Sequence, residues 1–121
     1  MKKYLLISIA LVLLDQITKF YFESSRNYGA AFGILPGWKW LFIVASFVVL
    51  GLVYYYKDKV KSYGAYGLVL LFSGVIGNLV DRLYLGYVRD FIDFGFFPSF
   101  NLADAYNTVG VFLLIAYFWR N

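Results

Sequence analysis

The sequence predicts an all-α integral membrane protein, and three observations carry the prediction. Of its 121 residues, 62% are hydrophobic and only 15% charged, whereas a soluble domain holds roughly 45–50% apolar and about 25% charged residues. Four long runs lack charge over most of their length, each close to the roughly 20 residues that cross a bilayer as a helix. Aromatic residues cluster where those runs end, at the depth where amphipathic rings settle.

The spans are expected at residues 4–22, 40–56, 64–80 and 101–119, within a single domain over residues 1–121. Backbone groups in lipid must pair within their own segment, so each run reads as a helix. The first follows Lys2 and Lys3. A basic start and a short apolar run also mark a cleavable signal peptide, but Asp15-Gln16-Ile17-Thr18-Lys19 follows in place of a small-residue cleavage site. The second lies between Trp38 and Trp40 on one side and Tyr54, Tyr55 and Tyr56 on the other. The third is rich in glycine (Gly64, Gly67, Gly74, Gly77). Its Ser73 and Gly77 form a small-xxx-small pair suited to close packing, although glycine is also ordinary in membrane helices. The fourth closes on Trp119.

Charge sets the expected orientation. With both termini cytoplasmic, Lys2, Lys3, Lys57, Lys59, Lys61 and Arg120 lie inside and Arg26, Lys39, Arg82 and Arg89 outside, a shallow excess that meets the positive-inside rule. The acids are more telling. Asp15, Glu23, Asp81, Asp90, Asp93 and Asp104 then gather at the outer ends of helices and in a short extracytoplasmic loop region. Only Asp58 faces the cytoplasm.

The inventory narrows the chemistry. The chain has no His and no Cys. Serine–histidine and cysteine–histidine triads, disulfides, iron–sulfur clusters and the usual zinc sites are thereby excluded. Carboxylate sites for hard cations stay open. No basic helix or glycine-rich phosphate loop points to nucleic acid.

Four groups of polar residues are candidates. Asp15 and Lys19 stand i, i+4 on one helix face, either as a self-contained structural pair or as part of the chemistry. Asn78 and Arg82 share that spacing. They either hold carboxylates of neighbouring helices or, for Arg82, snorkel to the interface. Asp93 reads as a solvated loop acid. Asp104 is either a helix N-terminal acid stabilised by the macrodipole or the partner of Asp90. If the loop between them folds back, the two carboxyls meet. Two such groups cannot both ionise cheaply, so the pair holds one proton and can act as base and acid in turn.

Five motifs then stand in order: Asp15-Gln16-Ile17-Thr18-Lys19, Asn27-Tyr28-Gly29-Ala30-Ala31-Phe32, Gly77-Asn78-Leu79-Val80-Asp81-Arg82, Val88-Arg89-Asp90-Phe91-Ile92-Asp93 and Phe100-Asn101-Leu102-Ala103-Asp104. In this order the chain resembles the bacterial lipoprotein signal peptidase (signal peptidase II) family over nearly its whole length. The resemblance implies an aspartic endopeptidase of the bacterial cytoplasmic (inner) membrane. It would act on a prolipoprotein and cut before the lipidated Cys. Asp90 and Asp104 would be the catalytic dyad. Asp15, Lys19, Asn27, Gly29, Asn78, Arg82, Asn101 and Ala103 would support the site or contact substrate. The resemblance further implies no metal, no cofactor and inhibition by globomycin. A monomer in the lipid bilayer is expected.

The chain departs from the family in three places. The stretch between Lys19 and Asn27 is short, Ser73-Gly74 replaces a frequent Gly-Gly, and Arg89 precedes Asp90 where an apolar residue is common. If that segment is extended, Arg89 points away from Asp90; if the two approach, Arg89 lowers the pKa of Asp90. Two other readings compete with a peptidase. A small transporter or channel component would need polar groups at several depths, yet the inner halves of the last three spans carry no ionisable group except tyrosine. An inactive relative would bind lipopeptides without cutting them.

Overall fold

The computed structural model describes residues 2–22, 24–29 and 37–120. Glu23 and residues 30–32 of the second motif lie outside them. Among the described residues, four helices are long and apolar enough to cross a membrane: α1 (Lys2–Tyr21), α2 (Lys39–Tyr56), α3 (Tyr63–Tyr84) and α4 (Leu102–Arg120). Two short strands, β1 (Ser25–Asn27) and β2 (Val88–Asp90), pair antiparallel.

Helix α3 is the axis of the bundle. More than half of its span is buried, 56%, against 17%, 11% and 22% for α1, α2 and α4. The other three turn leucine, valine and phenylalanine outward, as lipid-facing helices do. At the end away from the strands, Val53, Val60 and Leu68 form a small apolar core, with Leu114 and Tyr117 against it. Because lipid is as apolar as leucine, packing must come from close fit. Glycine supplies it between α3 and α4. A methyl on Gly110 would sit 2.8 Å from both the Gly67 carbonyl oxygen and the Leu71 nitrogen, and one on Gly67 would sit 3.0 Å from Leu114 Cγ. The small residues expected at Ser73 and Gly77 are buried too. Gly77, however, is pressed by the Asp15 carboxylate of α1 and the Ala103 methyl of α4.

The third span runs to Tyr84, a turn beyond the expected residue 80. Asp81 and Arg82 look like a stop in the sequence, but both find partners on the bundle side and the helix continues through them.

Between α3 and α4 the chain doubles back. Phe91 and Ile92 donate their amides to the Phe100 carbonyl at 3.1 and 2.9 Å, and Phe100 donates to Ile92 at 3.0 Å. Gly95 turns the loop at φ +84°, and its amide donates to the Asp93 carboxylate at 2.8 Å. Glycine adopts that left-handed conformation without the Cβ clash. Closing this loop carries Asn101, and α4 behind it, to Asp90.

Gly110→Ala is expected to lower stability by about 1–3 kcal/mol, because the added methyl meets fixed backbone rather than a movable side chain. Thermal unfolding in detergent reads this directly. An unchanged midpoint would mean that α3 and α4 are not held at the described distance.

Candidate active site

The site lies where the C-terminal ends of α1 and α3 meet the start of α4. Helix starts leave amide donors without partners, and here those of Asn101, Ala103 and Asp104 are answered by side chains. Asn101 caps α4: its Oδ1 accepts from the Asp104 amide at 2.8 Å, and its own amide donates to Asp104 Oδ2 at 3.2 Å. This reciprocal pair is the capping-box arrangement. The Ala103 amide donates to Asp15 Oδ1 of α1 at 2.9 Å.

The cap also gathers the two candidate catalytic carboxylates. Asn101 Nδ2 donates to Asp90 Oδ1 at 2.9 Å while the Asn101 backbone holds Asp104. Asn27 of β1 donates to Asp90 Oδ2 at 3.1 Å, and its own Oδ1 accepts from the Gly29 amide at 2.8 Å. Asn78 of α3 donates to Asp104 Oδ1 at 2.9 Å. Both carboxyls are buried, 4% and 5% exposed. Burial, and then the negative charge of Asp104, push Asp90 up to about 7, against the lowering effect of Asn27, Asn101 and Lys19.

Beneath them lies a buried set of charges. Lys19 Nζ sits 2.8 Å from Asp15 and 3.3 Å from Asp81, with side chains 0%, 0% and 1% exposed. It also donates to the Gly77 carbonyl at 3.3 Å and to Asn78 Oδ1 at 3.2 Å. Asp81 in turn pairs with Arg89 at 2.9 Å. Two acids and two bases thus cancel. Gln16 donates to Asp15, to Asp81 and to the Gly77 carbonyl, filling the space between them.

Asp15 and Lys19 are therefore not a self-contained pair. They bind α1 to α3, and Asp15 also caps α4. Asn78 and Arg82 divide the tasks between them. Asn78 reaches a carboxylate, but Arg82 Nη2 donates to the Gly29 carbonyl at 3.0 Å, and its guanidinium lies 5.3 Å from the Phe42 ring centre. Gly29 thus sits between Asn27 and Arg82, joining the loop to α3. Ala103 is fully buried, with its carbonyl oxygen 2.5 Å from where a methyl on Gly74 would lie. Asp93 is exposed in the loop, as expected. Of the two outcomes open for Arg89, the strand decides: β2 is extended, and Arg89 turns to Asp81 while Asp90 turns to Asn101. Gln16, Asp81 and Arg89 join the supporting residues. Their signal in the sequence is that each is a polar side chain within one of the five motifs of an otherwise apolar chain.

A four-helix membrane bundle that holds two buried carboxyls against one asparagine has the equipment of an aspartic-type membrane peptidase. Comparison with known proteins agrees. A profile described as signal peptidase (SPase) II matches residues 7–120. The lipoprotein signal peptidase of Halothermothrix orenii is 46% identical over 103 residues, 84% of this chain and 71% of that one. That of Halalkalibacterium halodurans is 39% identical over 92% of this chain and 88% of its own. That of Streptococcus pyogenes serotype M5 is 39% identical over 99% and 96%. These last two alignments run over 137 and 146 positions against the 121 residues here, so both relatives hold residues that this chain lacks. A solved bacterial membrane enzyme structure at 2.3 Å superposes with a TM-score of 0.90 at 35% identity, covering 99% of this chain and 89% of that one. A second, at 1.9 Å, gives 0.82 at 34% identity, covering 96% and 92%. The chain belongs to the signal peptidase II family.

Removing one partner from a buried charge network leaves an uncompensated charge, at a cost of about 3–5 kcal/mol. Lys19→Met is expected to destabilise the protein by that order, and adding Asp15→Asn is expected to recover part of the loss. Additive losses in the double variant would contradict the pairing.

A second expectation concerns Asp90. Its carboxyl titrates higher in the folded protein than its ordinary value of 3.8. The folded state therefore binds more protons than the unfolded state in that window, and stability from this group falls as pH rises from about 4 to about 7. Asp90→Asn removes that loss. Its thermal midpoint is expected to exceed the parent's at about pH 8, with the gain vanishing below about pH 4. A gain independent of pH would contradict this.

Proposed function

We propose that the chain cleaves prolipoproteins before the lipidated Cys, with Asp90 and Asp104 as the catalytic dyad. The observation that carries this assignment is Asn101, which holds one carboxylate by its side chain and the other by its backbone. The chain acts as one four-helix unit. The basic residues Lys2, Lys3, Lys57, Lys59, Lys61 and Arg120 sit at the end opposite the site. By the positive-inside rule the dyad then faces the extracytoplasmic side of a bacterial cytoplasmic membrane. A substrate anchored in the same bilayer reaches it by lateral diffusion. Exposed Phe94, Phe96 and Phe97, on the loop joining Asp90 to Asp104, suit contact with lipid and acyl chains.

The mechanism follows from proton sharing. At neutral pH the pair carries one proton, because burial and mutual repulsion oppose the doubly charged state. The ionised member takes a proton from water, whose oxygen bonds to the scissile carbonyl carbon. The protonated member gives its proton to the carbonyl oxygen, forming a neutral tetrahedral diol. Collapse restores the carbonyl and breaks the C–N bond, as the protonated carboxyl gives its proton to the departing nitrogen and the ionised one takes a proton from a diol hydroxyl. Asn27, Asn78 and Asn101 hold the carboxylates throughout. Lys19 does not touch the substrate; it fixes the Asn78 amide, whose other end holds Asp104. Globomycin-type lipopeptides would occupy the same site, and each monomer carries a whole site.

Asp90→Asn and Asp104→Asn are each expected to abolish cleavage of a diacylglyceryl-modified prolipoprotein by the purified protein, while the variants still fold. The parent rate is expected to be bell-shaped in pH. It falls above about 7 as the shared proton is lost, and again in acid as the second carboxylate takes one. Full turnover by either variant would remove that residue from the dyad. An inactive lipopeptide-binding relative would bind the substrate without turnover.

A further inference from the structure

Strand β2 faces two environments with two consecutive residues. Asp90 turns toward Asn27 and Asn101. Arg89 turns to the helices. Its Nη2 donates to Asp81 Oδ1 at 2.9 Å and to Gln16 Oε1 at 2.8 Å, and its Nε donates to Asp81 Oδ2 at 3.2 Å. The Arg89 backbone amide donates to the same Asp81 oxygen at 2.9 Å. Its carbonyl accepts from Asn101 Nδ2 at 3.1 Å, the amide that also holds Asp90. One residue thus touches the buried charges on α1 and α3 and, through its backbone, the asparagine that organises the carboxyls.

The ribbon needs this anchor. Each strand has three residues, and an isolated two-stranded ribbon is marginal in its own right. Arg26 stands directly opposite Arg89, and like charges in that position repel unless engaged elsewhere. Arg26 lies over the Tyr87 ring at 4.8 Å, and Arg89 is taken up by Asp81. Asn27 and Asn101 hold the Asp90 carboxylate, but Asn27 belongs to the same ribbon. A direct side-chain tie from β2 to the transmembrane helices is the fork on Asp81 and Gln16.

We propose that Arg89 is a positioning residue: its guanidinium, forked onto Asp81 and Gln16, fixes β2 against α1 and α3 and so sets the aim of Asp90 toward Asp104. This rests on the reading of Asp90 and Asp104 as the catalytic pair. Arg89 acts through the backbone rather than through its charge, since its guanidinium is spent on Asp81. The charged groups that act on Asp90 are Asp104 from α4, Lys19 from α1 and Arg82 from α3. Lysine keeps the charge but cannot reproduce the planar fork. Arg89→Lys and Arg89→Gln should therefore fail alike.

The test is steady-state cleavage of a diacylglyceryl-modified prolipoprotein across pH by purified parent, Arg89→Lys, Arg89→Gln and Asp90→Asn, with the folded fraction measured for each. Misplacing a reacting group by about 1 Å costs on the order of 100-fold in rate. Both Arg89 variants are expected to lose roughly 10- to 100-fold in kcat per folded molecule, with KM changed less than about 3-fold. The alkaline limb of the profile is expected to move to lower pH, because a loosened Asp90 is better hydrated and farther from Asp104. Parent-like kcat and pH profile in Arg89→Lys would overturn the proposal, as would a loss that tracks the folded fraction alone. If Arg89→Gln does not fold, Arg89→Lys carries the test. Full turnover by Asp90→Asn would instead overturn the dyad, an outcome distinct from parent-like Arg89 variants beside an inactive Asp90→Asn.

Discussion

The Lys19 ammonium is the point on which the site depends. A charge withdrawn from water into a membrane bundle is costly unless it is paired and hydrogen-bonded. Lys19 meets Asp15 on its own helix, and Asp81, Asn78 and the Gly77 carbonyl on α3. Each of these partners has a second task. Asp15 caps α4 through Ala103. Asp81 receives Arg89 and with it strand β2. Asn78, with its oxygen engaged by Lys19, presents its amide to Asp104. The positions of both candidate catalytic carboxyls thus follow from neutralising one lysine. Gly77 is glycine because a methyl there would lie 2.5 Å from the Asp15 carboxylate.

The capping of α4 works in the same economical way. Asn101 and Asp104 satisfy each other's amides as helix caps do, and the same contacts hold Asp104 beside the residue that binds Asp90. Function opposes stability here. A helix start would favour a fully ionised acid, but proton sharing requires a second carboxyl in the same desolvated space. The close α3–α4 contact at Gly67 and Gly110, and the balanced charges below the dyad, offset that repulsion.

Much of this was legible in the sequence, for identifiable reasons. The spans followed from uninterrupted apolar runs, and the gathering of acids toward one end of the bundle followed from counting charges along them. The convergence of Asp90 and Asp104 required only that the intervening loop fold back, which the Phe91, Ile92 and Phe100 pairing accomplishes. The rest depended on contacts between residues far apart in the chain. Asp81 looked like the end of a span because its partners, Lys19 and Arg89, come from other segments. Arg82 carries the right group to hold a carboxylate, yet it reaches Gly29 because β1 brings that carbonyl within 3.0 Å. Strands of three residues leave too little alternation to be seen. The face taken by Arg89, left open by the sequence, was decided by an acid one helix end away.

The most direct measurement is the protonation of the dyad itself. Infrared difference spectra of protein carrying isotope-labelled aspartate, taken from acid to alkaline pH in the membrane, resolve neutral carboxyl groups from ionised ones. A protonated aspartate that persists to about pH 7, and is absent from Asp90→Asn, is the expected result. Spectra in which every aspartate ionises in the ordinary acid range would contradict a shared proton, and with it the mechanism.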